Sequence, residues 1–322
     1  NVSVPPPALS SPNRNVLPGD WLTWQTTHYH VAFSWLIQSI YAVTGPEWFP
    51  WGIFIAHFLV LCGLGYALLR LARAARWHWG AALFAVAAIA FVNDRSIAWT
   101  TVNHGQLLPA DIAIVFGTLG FASWIEHRSL SAGLWLGLSG LIHINFAYIG
   151  PLVIAVPEAW RLLAKRQWRP TLLLAGGYLL FAWPTLMITM SNLQGTDLGA
   201  EALDIVFKNR SPHHYNPPFA TSIYLWWPVT LGVAGLPVWI ARGRQWKTDR
   251  ALILFVCLIA TQLFAAVATV LEWKLVIRMF LWRLSVPLFC FAAGAAGQQL
   301  VQSLRRAEPA SLLYAVAAGL VV

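Results

Sequence analysis

The stretch that decides the fold begins at Trp51 and has the sequence WGIFIAHFLVLCGLGYALLRLARAAR (51–76). Its first part is almost wholly apolar and, at about 20 residues, is long enough to cross the hydrocarbon core of a bilayer as a helix. Three arginines follow at its end, Arg70, Arg73 and Arg76. An apolar segment followed by clustered arginines is typical of a membrane span that ends on the cytoplasmic side, where Lys and Arg are retained.

The composition of the whole chain indicates the same class of protein. Of the 322 residues, 58% are hydrophobic and only 10% are charged, whereas a soluble domain carries charge on about a quarter of its residues. The chain also has 19 tryptophans, a residue that favours the headgroup level of a bilayer. The apolar stretches are continuous and lack the alternation of a membrane β-barrel, so the sequence predicts helices whose backbone groups bond within each segment.

We therefore predict an all-α, polytopic transmembrane bundle with about ten membrane segments. The apolar segments lie at 51–72, 78–92, 108–125, 130–146, 147–163, 171–190, 223–241, 251–271, 275–301 and 310–322. The fourth and fifth segments are interpreted either as two tilted spans or as a helical hairpin of limited depth. Residues 1–50 are predicted to form a first outer loop, and residues 51–322 the bundle. The chain lacks an initiator Met, so a further span or signal segment is expected upstream.

Charge alternates between successive connections. Most of the 21 Lys and Arg residues lie in every second connection, namely Arg70, Arg73, Arg76, Arg128, Arg161, Lys165, Arg166, Arg169, Arg242, Arg244, Lys247, Arg250, Arg305 and Arg306. The intervening connections hold most of the 12 acidic residues, namely Asp20, Glu47, Asp94, Asp111, Asp197, Glu201, Asp204 and Glu272. This pattern places the basic connections in the cytoplasm and the long connections 1–50 and 191–222 outside. The net charge of +9 is interpreted in this way and not as nucleic-acid binding.

Residues 21–43 are predicted to form an amphipathic helix. Its apolar residues are Trp24, Val31, Trp35, Ile37, Ile40 and Tyr41, and the polar residues between them are Gln25, Thr26, His28, His30, Ser34 and Gln38. The pattern favours a helix lying in the membrane interface, and the alternative is a water-exposed helix packed on the bundle. The turn at Pro18-Gly19 presents Asp20 at the start of this helix, either as a catalytic carboxylate or as the N-cap.

The densest polar cluster is the sequence NRSPHHYNPP at 209–218. Arg210 offers a planar guanidinium suited to phosphate. Adjacent histidines point in different directions on a regular element, but a loop bounded by prolines can turn both His213 and His214, with Tyr215, toward one ligand. An ordinary surface loop is the alternative.

Three basic residues, Lys274, Arg278 and Arg283, lie at the outer end of the ninth apolar segment. Arg283 is the deepest, and an arginine within a membrane normally faces the bundle interior or a polar cavity because its exposure to lipid is costly. We predict that Arg278 and Arg283 clamp the phosphate of a lipid-linked ligand. The alternatives are snorkelling of the side chains and a structural ion pair with Glu272 or Asp111.

Single polar residues also occur near the outer ends of several segments, namely Asp94, Asn103, His104, Asp111, His143 and Asn145. A lone buried histidine is more often structural than functional, but several polar residues at one predicted depth favour a shared cavity. His104 and His143 are therefore candidate binding residues. With Asp204, His104 also offers ligands to a divalent cation, but the chain has no recognised metal-ligand spacing. The sequence requires no cofactor.

The order of Asp20, an amphipathic helix, many spans and a later outer loop resembles the C-type (GT-C) fold of membrane glycosyltransferases. The run RSPHHY from Arg210 to Tyr215 also looks like a feature of uncharacterised bacterial polytopic proteins grouped with that fold. The resemblance implies that Asp20 acts as base or orients the acceptor. It further implies that Arg210, Arg278 and Arg283 hold the phosphate of a polyprenyl-linked sugar, on the extracytoplasmic face of a bacterial inner membrane.

The sequence is compatible with three functions. The leading prediction is a glycosyltransferase with a polyprenyl-phosphate-linked sugar donor, for which a carboxylate, histidines and arginines supply a base and phosphate ligands. The second is a transporter or flippase of a lipid-linked or small polar substrate, although the chain shows no clear internal repeat. The third is a non-catalytic subunit of a larger membrane complex. The expected partners are membrane lipid, the lipid-linked donor and other membrane proteins, and not nucleic acid.

Overall fold

The computed structural model of the chain describes residues 30–91, 107–195, 249–277, 279 and 281–306, and these residues form helices and no strand. The helices are α1 (Val31–Ala74), α2 (Trp79–Phe91), α3 (Pro109–Ile125), α4 (Ser129–Ile142), α5 (Phe146–Lys165), α6 (Trp168–Gly195), α7 (Arg250–Val270), α8 (Lys274–Ile277) and α9 (Ser285–Arg306). A 3-10 turn, Leu281–Leu284, directly precedes α9. The all-α prediction is confirmed for this part of the chain.

Within the described residues, five helices are long and apolar enough to cross a membrane. They are α1, α5, α6, α7 and the helix formed by the 3-10 turn with α9. The helices α3 and α4 are apolar but shorter. Two of the ten predicted segments, 223–241 and 310–322, lie outside the described residues. The prediction of a polytopic bundle is therefore confirmed in its coarser form, as several apolar helices of spanning length.

The helices differ strongly in how much of their apolar surface is buried. In the most apolar part of Leu281–Gln302, 78% of the residues are buried, whereas the corresponding value for α6 is 17%. The outer face of α6 exposes large side chains such as Leu172, Leu180 and Trp183. Apolar surface of this extent does not face water in a soluble monomer. Helix α9 therefore lies at the centre of the described bundle, and the exposed apolar face of α6 fits contact with lipid.

Exposed tryptophans lie at both ends of the bundle. Trp48 and Trp51 begin the spanning part of α1, and Trp79, Trp160 and Trp168 lie where α2 begins, where α5 ends and where α6 begins. From Trp51 to the end of α1 the helix rises about 35 Å, which matches the hydrocarbon core with part of its interfaces. Tryptophan side chains prefer these interfaces, so their positions support a transmembrane arrangement.

Helix α1 consists of two helices joined at Gly45, where the backbone is left-handed (φ 67°, ψ 174°). Glycine adopts this conformation without steric cost, and Pro46 follows. A Cβ atom at Gly52 would lie 2.7 Å from Cγ2 of Ile40, although 12 residues of straight helix extend about 18 Å. The chain therefore folds back at Gly45, and the helix 31–44 lies against the start of the span 46–74.

Of the predicted amphipathic segment 21–43, residues 21–29 lie outside the described residues, and the rest belongs to the helix 31–44, which packs on the bundle. Phe33 and Ile37, one turn apart, are buried against Leu107 and Ile112 at the start of α3. Trp35 points the other way and is 63% exposed. This packing brings the N-terminal end of α1, and His30 before it, next to the first turn of α3.

Helices α4 and α6 approach closely through glycines. Gly133 and Gly137 on α4 face the backbone of α6 near Tyr178, and Gly177 on α6 faces the backbone of α4 near Leu130. Small residues spaced four apart allow helices to meet in lipid, where no hydrophobic force drives them together. The Ser139 hydroxyl donates to the Ala113 carbonyl at 2.6 Å, so α4 is also tied to α3. Because α4 has 14 residues and α5 has 20, the predicted fourth and fifth segments are two helices of unequal length.

The charged residues gather at two opposite ends of the bundle. Arginines at the end of α1, in the α3–α4 connection and at the start of α7 lie together, and we call this the basic end. His30, Asp111, His143 and Arg283 lie at the other end of α3, about 25 Å away along that helix, and we call this the histidine end. The grouping agrees with the charge alternation of the sequence. That the basic end faces the cytoplasm stays a prediction.

Candidate functional site

A histidine and an arginine 140 residues apart in the sequence meet at the histidine end. His143 follows the last residue of α4 in an extended conformation and is only 4% exposed. Arg283 lies in the 3-10 turn before α9, which is anchored because Gln262 donates to the Leu281 carbonyl at 2.8 Å. Nη1 of Arg283 lies 2.6 Å from Nε2 of His143. The pair joins the α4–α5 connection to the central helix.

Two donors, Arg283 and the backbone N–H of Asn145, face the two ring nitrogens of His143. Arginine is always protonated and can only donate, so when Arg283 donates to Nε2 of His143, the neutral imidazole carries its proton on Nδ1. The backbone N–H of Asn145 lies 3.2 Å from that Nδ1 atom. A neutral imidazole has one acceptor nitrogen, so His143 accepts either from Arg283 at Nε2 or from the Asn145 N–H at Nδ1. The Asn145 N–H is therefore a second hydrogen-bond partner for His143, in addition to Arg283.

His30 forms the second imidazole of the site. Its ring lies 4.5 Å from that of His143, centroid to centroid. Burial, and then the charge of Arg283, lower the pKa of His30 below its usual range, and the same two causes lower the pKa of His143. Nδ1 of His30 is buried and has no hydrogen-bond partner among the described residues. Both rings are thus neutral at physiological pH, and one nitrogen is available to a ligand.

Asp111 supplies a carboxylate to the same end of the bundle. It lies in the first turn of α3, where its Oδ2 atom accepts from the Leu108 N–H at 3.1 Å, and it is 1% exposed. Its Oδ1 atom is buried and has no hydrogen-bond partner within the described residues. Asp111 interacts electrostatically with Arg283. One oxygen of this carboxylate caps α3, and the other is available to a ligand in the site.

Surrounding side chains hold the α4–α5 connection in place. The Phe146 ring meets the His143 ring edge-on at 5.6 Å, and the Tyr148 hydroxyl donates to the Asn145 side chain at 3.1 Å. The Tyr178 hydroxyl of α6 donates to the Ala147 carbonyl. These contacts rigidify the segment that carries His143, so the imidazole is presented in a fixed position.

The structure brings together some of the predicted site residues. His143 and Arg283 meet directly, and Asp111, predicted at the same depth, lies in the field of Arg283. His30 was assigned only to the polar side of the amphipathic helix, and no site role was predicted for it. Its place on the polar side of that predicted helix, on the predicted outer side of the membrane, is the signal that points to it. The other predicted site residues lie outside the described residues, namely Asp20, His104, Arg210, His213, His214, Tyr215 and Arg278.

Arg283 is the cationic group of the cluster, and Asp111 is the carboxylate that interacts with it. In the part of the chain that the structure describes, no three His, Cys, Asp or Glu side chains are grouped so that they could hold a metal ion. The charged group that contacts His143 is a guanidinium, whose planar donors match phosphate and carboxylate. What the described side chains can do is bind an anion and offer polar contacts to an uncharged neighbour.

Comparisons of the chain with protein-family models, with curated proteins and with solved structures give no match in any of the three.

Proposed function

We propose that the chain is an integral membrane glycosyltransferase that binds a polyprenyl-phosphate-linked sugar at the histidine end. The observation that supports this most is the contact between Arg283 and His143. His143 is neutral, so it orients the guanidinium without cancelling its charge. Phosphate is an anion whose oxygens fit the two parallel donors of arginine. The membrane-embedded position suits a phosphate that is carried on a lipid.

The second partner of His143 gives the site a way to add a donor when the ligand arrives. If Arg283 turns its Nη1 donor to a phosphate oxygen, Nδ1 of His143 accepts from the Asn145 N–H, which already lies 3.2 Å away. The imidazole proton then resides on Nε2, which becomes a second donor to the phosphate. No backbone movement is needed for this change of tautomer.

The transfer reaction assigns a role to each type of side chain. The bond between the anomeric carbon and the phosphate oxygen breaks, a bond forms to the acceptor oxygen, and the acceptor hydroxyl loses its proton. Cationic and N–H donors stabilise the leaving phosphate, which is the role we propose for Arg283 and His143. A carboxylate takes the proton, and Asp20 and Asp111 are the two candidates. The unpaired nitrogen of His30 offers a contact to a sugar hydroxyl.

Binding of the lipid phosphate can be tested without knowing the sugar. Wild-type protein in nanodiscs is titrated with undecaprenyl phosphate, and retained lipid is counted by native mass spectrometry. Arg283→Ala is expected to weaken binding about 10- to 100-fold, the loss of a charged hydrogen bond of about 1.5–3 kcal/mol. Arg283→Lys keeps the charge but loses the fork and is expected to fall between the two. Arg305→Ala, at the other end of α9, is the control, and equal binding by Arg283→Ala and this control contradicts the proposal.

Transfer itself is measured with a panel of radiolabelled polyprenyl-phosphate hexoses and pentoses in membranes that contain the protein. Asp20→Asn or Asp111→Asn, whichever removes the base, is expected to slow transfer about 10²- to 10⁴-fold, and Arg283→Ala to abolish it. Sealed vesicles separate this function from transport, because a transporter moves its substrate without any acceptor. Movement of the lipid-linked sugar across the vesicle membrane without any acceptor, together with binding of that sugar but no transfer of it, would identify a transporter and contradict the transferase.

A further inference from the structure

A cavity of about 890 Å³ lies at the basic end, opposite the site that contains Arg283. The end of α1, the α3–α4 connection and the start of α7 form its walls. Five arginines line it, namely Arg70, Arg73, Arg76, Arg128 and Arg250. Its described lining includes two carboxylates, Glu126 and Asp249. The wall therefore carries more positive than negative charge.

Both carboxylates are already engaged. Oε2 of Glu126 is shared between Arg70 at 3.0 Å and Arg128 at 3.5 Å. Oδ1 of Asp249 caps α7, because it accepts from the first backbone N–H groups of that helix at 3.0 and 3.3 Å. The carboxylates fix the walls of the cavity, and the arginine charges beyond them are left for a ligand.

Arg250 is the most informative of these arginines, because it is only 5% exposed. Its guanidinium lies over the Trp124 ring, 4.9 Å from the centroid, and Nη1 donates to the Trp124 carbonyl. No carboxylate among the described residues forms an ion pair with it. Buried charges in proteins are normally paired, so an anion in the cavity is the counter-ion that this arrangement lacks.

Arg73 and Arg76 are exposed residues of the cavity wall and form no ion pair with a described carboxylate. Tyr66 and Leu69, on the same wall, are 61% and 45% exposed and belong to the apolar part of α1. A ligand can thus place charged groups on the arginines while an apolar part lies along α1. Basic pockets between transmembrane helices bind the headgroups of anionic lipids in this way.

We propose that this cavity is a binding site for a ligand with at least two phosphate groups, supplied by an anionic membrane lipid or by a soluble polyphosphate. The arginines exceed the carboxylates of the lining by three, which is more charge than one phosphodiester neutralises. Arginine forks bind phosphate bidentately. The proposal is independent of the glycosyltransferase, since it involves neither Arg283 nor His143.

The test uses the full chain in nanodiscs of phosphatidylcholine. Cardiolipin, with two phosphates, phosphatidylglycerol, with one, and inorganic tripolyphosphate in solution are added separately, and bound ligand is measured by native mass spectrometry. We expect a two-phosphate ligand to bind more tightly than phosphatidylglycerol. The double substitution Arg73→Ala with Arg76→Ala is expected to weaken this binding at least about 10-fold, as loss of two charged contacts predicts.

The matched control is the double substitution Arg166→Ala with Arg169→Ala. It removes the same charge from exposed residues outside the cavity, and Arg166 shares with Arg76 a left-handed backbone (φ 51° and 57°), so the cost to the fold is similar. Loss in the first variant alone supports the site. Selective binding of cardiolipin then identifies a lipid source, and selective binding of tripolyphosphate a soluble one. Equal loss in both variants, or no binding of either cardiolipin or tripolyphosphate, overturns the proposal.

Discussion

Glu158 is a buried carboxylate that joins three helices. On α5 it is only 3% exposed, and its Oε1 atom accepts from Nε1 of Trp124 on α3 at 2.7 Å and from Arg161 at 3.0 Å. Its Oε2 atom accepts from the Thr171 hydroxyl of α6 at 3.0 Å. Hydrogen bonds to a charged group contribute more than neutral ones. The side chain therefore stabilises the packing of α3, α5 and α6 near the basic end.

Removal of this carboxylate is expected to destabilise the protein. Glu158→Ala leaves the indole N–H of Trp124 buried without its acceptor, a loss of about 1–3 kcal/mol, and it also leaves Arg161 without its partner. Thermal unfolding in detergent should show a lower midpoint for this variant. Glu47→Ala, at an exposed position near the Gly45 kink, is the control. Equal midpoints for the two variants would show that the network contributes nothing.

Arg283 shows how far single residues could be predicted. An arginine in an apolar segment must face the interior, and that part follows from sequence alone. Its partner does not, because His143 is 140 residues away and no spacing rule joins a 3-10 turn to the end of α4. The predicted partners were Glu272 and Asp111, and the structure adds a neutral histidine as the group that contacts Nη1. His30 was missed for the same reason, since its neighbour is determined by the fold at Gly45.

Two adjacent glycines on α6 provide a test at the level of helix packing. A Cβ atom at Gly177 would lie 2.7 Å from the Leu130 carbonyl oxygen on α4, whereas at Gly176 nothing lies within 4 Å. Gly177→Ala is therefore expected to separate α4 from α6 and lower the unfolding midpoint. Gly176→Ala should be neutral, or stabilising by up to about 1 kcal/mol, because alanine favours a helix. The same response in both variants would argue against close backbone packing.

The elements themselves were largely predictable. Apolar length and the basic residues at segment ends located the helices α3, α5 and α7 within a few residues. The sharp fold in α1 was not predicted at Gly45, although the Gly-Pro pair there is a turn signal. The spacing of Gly133 and Gly137 likewise marks a close helix contact, but the sequence does not say that the partner is α6. Such pairings depend on side-chain fit over the whole bundle.

The distribution of charge over the whole molecule makes the sidedness testable. The basic end joins residues from three separate connections, and the histidine end joins residues from four elements. Retention of Lys and Arg on the cytoplasmic side then predicts that the proposed transferase site faces outward. If the orientation were reversed, the proposed phosphate site at Arg283 would face acceptors in the cytoplasm and not exported acceptors.

Single cysteines can report this orientation. In a background where Cys62, Cys257 and Cys290 are replaced by alanine, Glu272→Cys and Arg128→Cys introduce thiols at exposed turns of the histidine end and the basic end. A thiol reagent that does not cross the inner membrane is expected to label Glu272→Cys in intact cells, because that turn faces outward. Arg128→Cys should react only after the membrane is permeabilised, and several arginines remain to hold the orientation. Labelling of Arg128→Cys in intact cells would reverse the topology and place the Arg283 site in the cytoplasm, where transfer to an extracytoplasmic acceptor is ruled out.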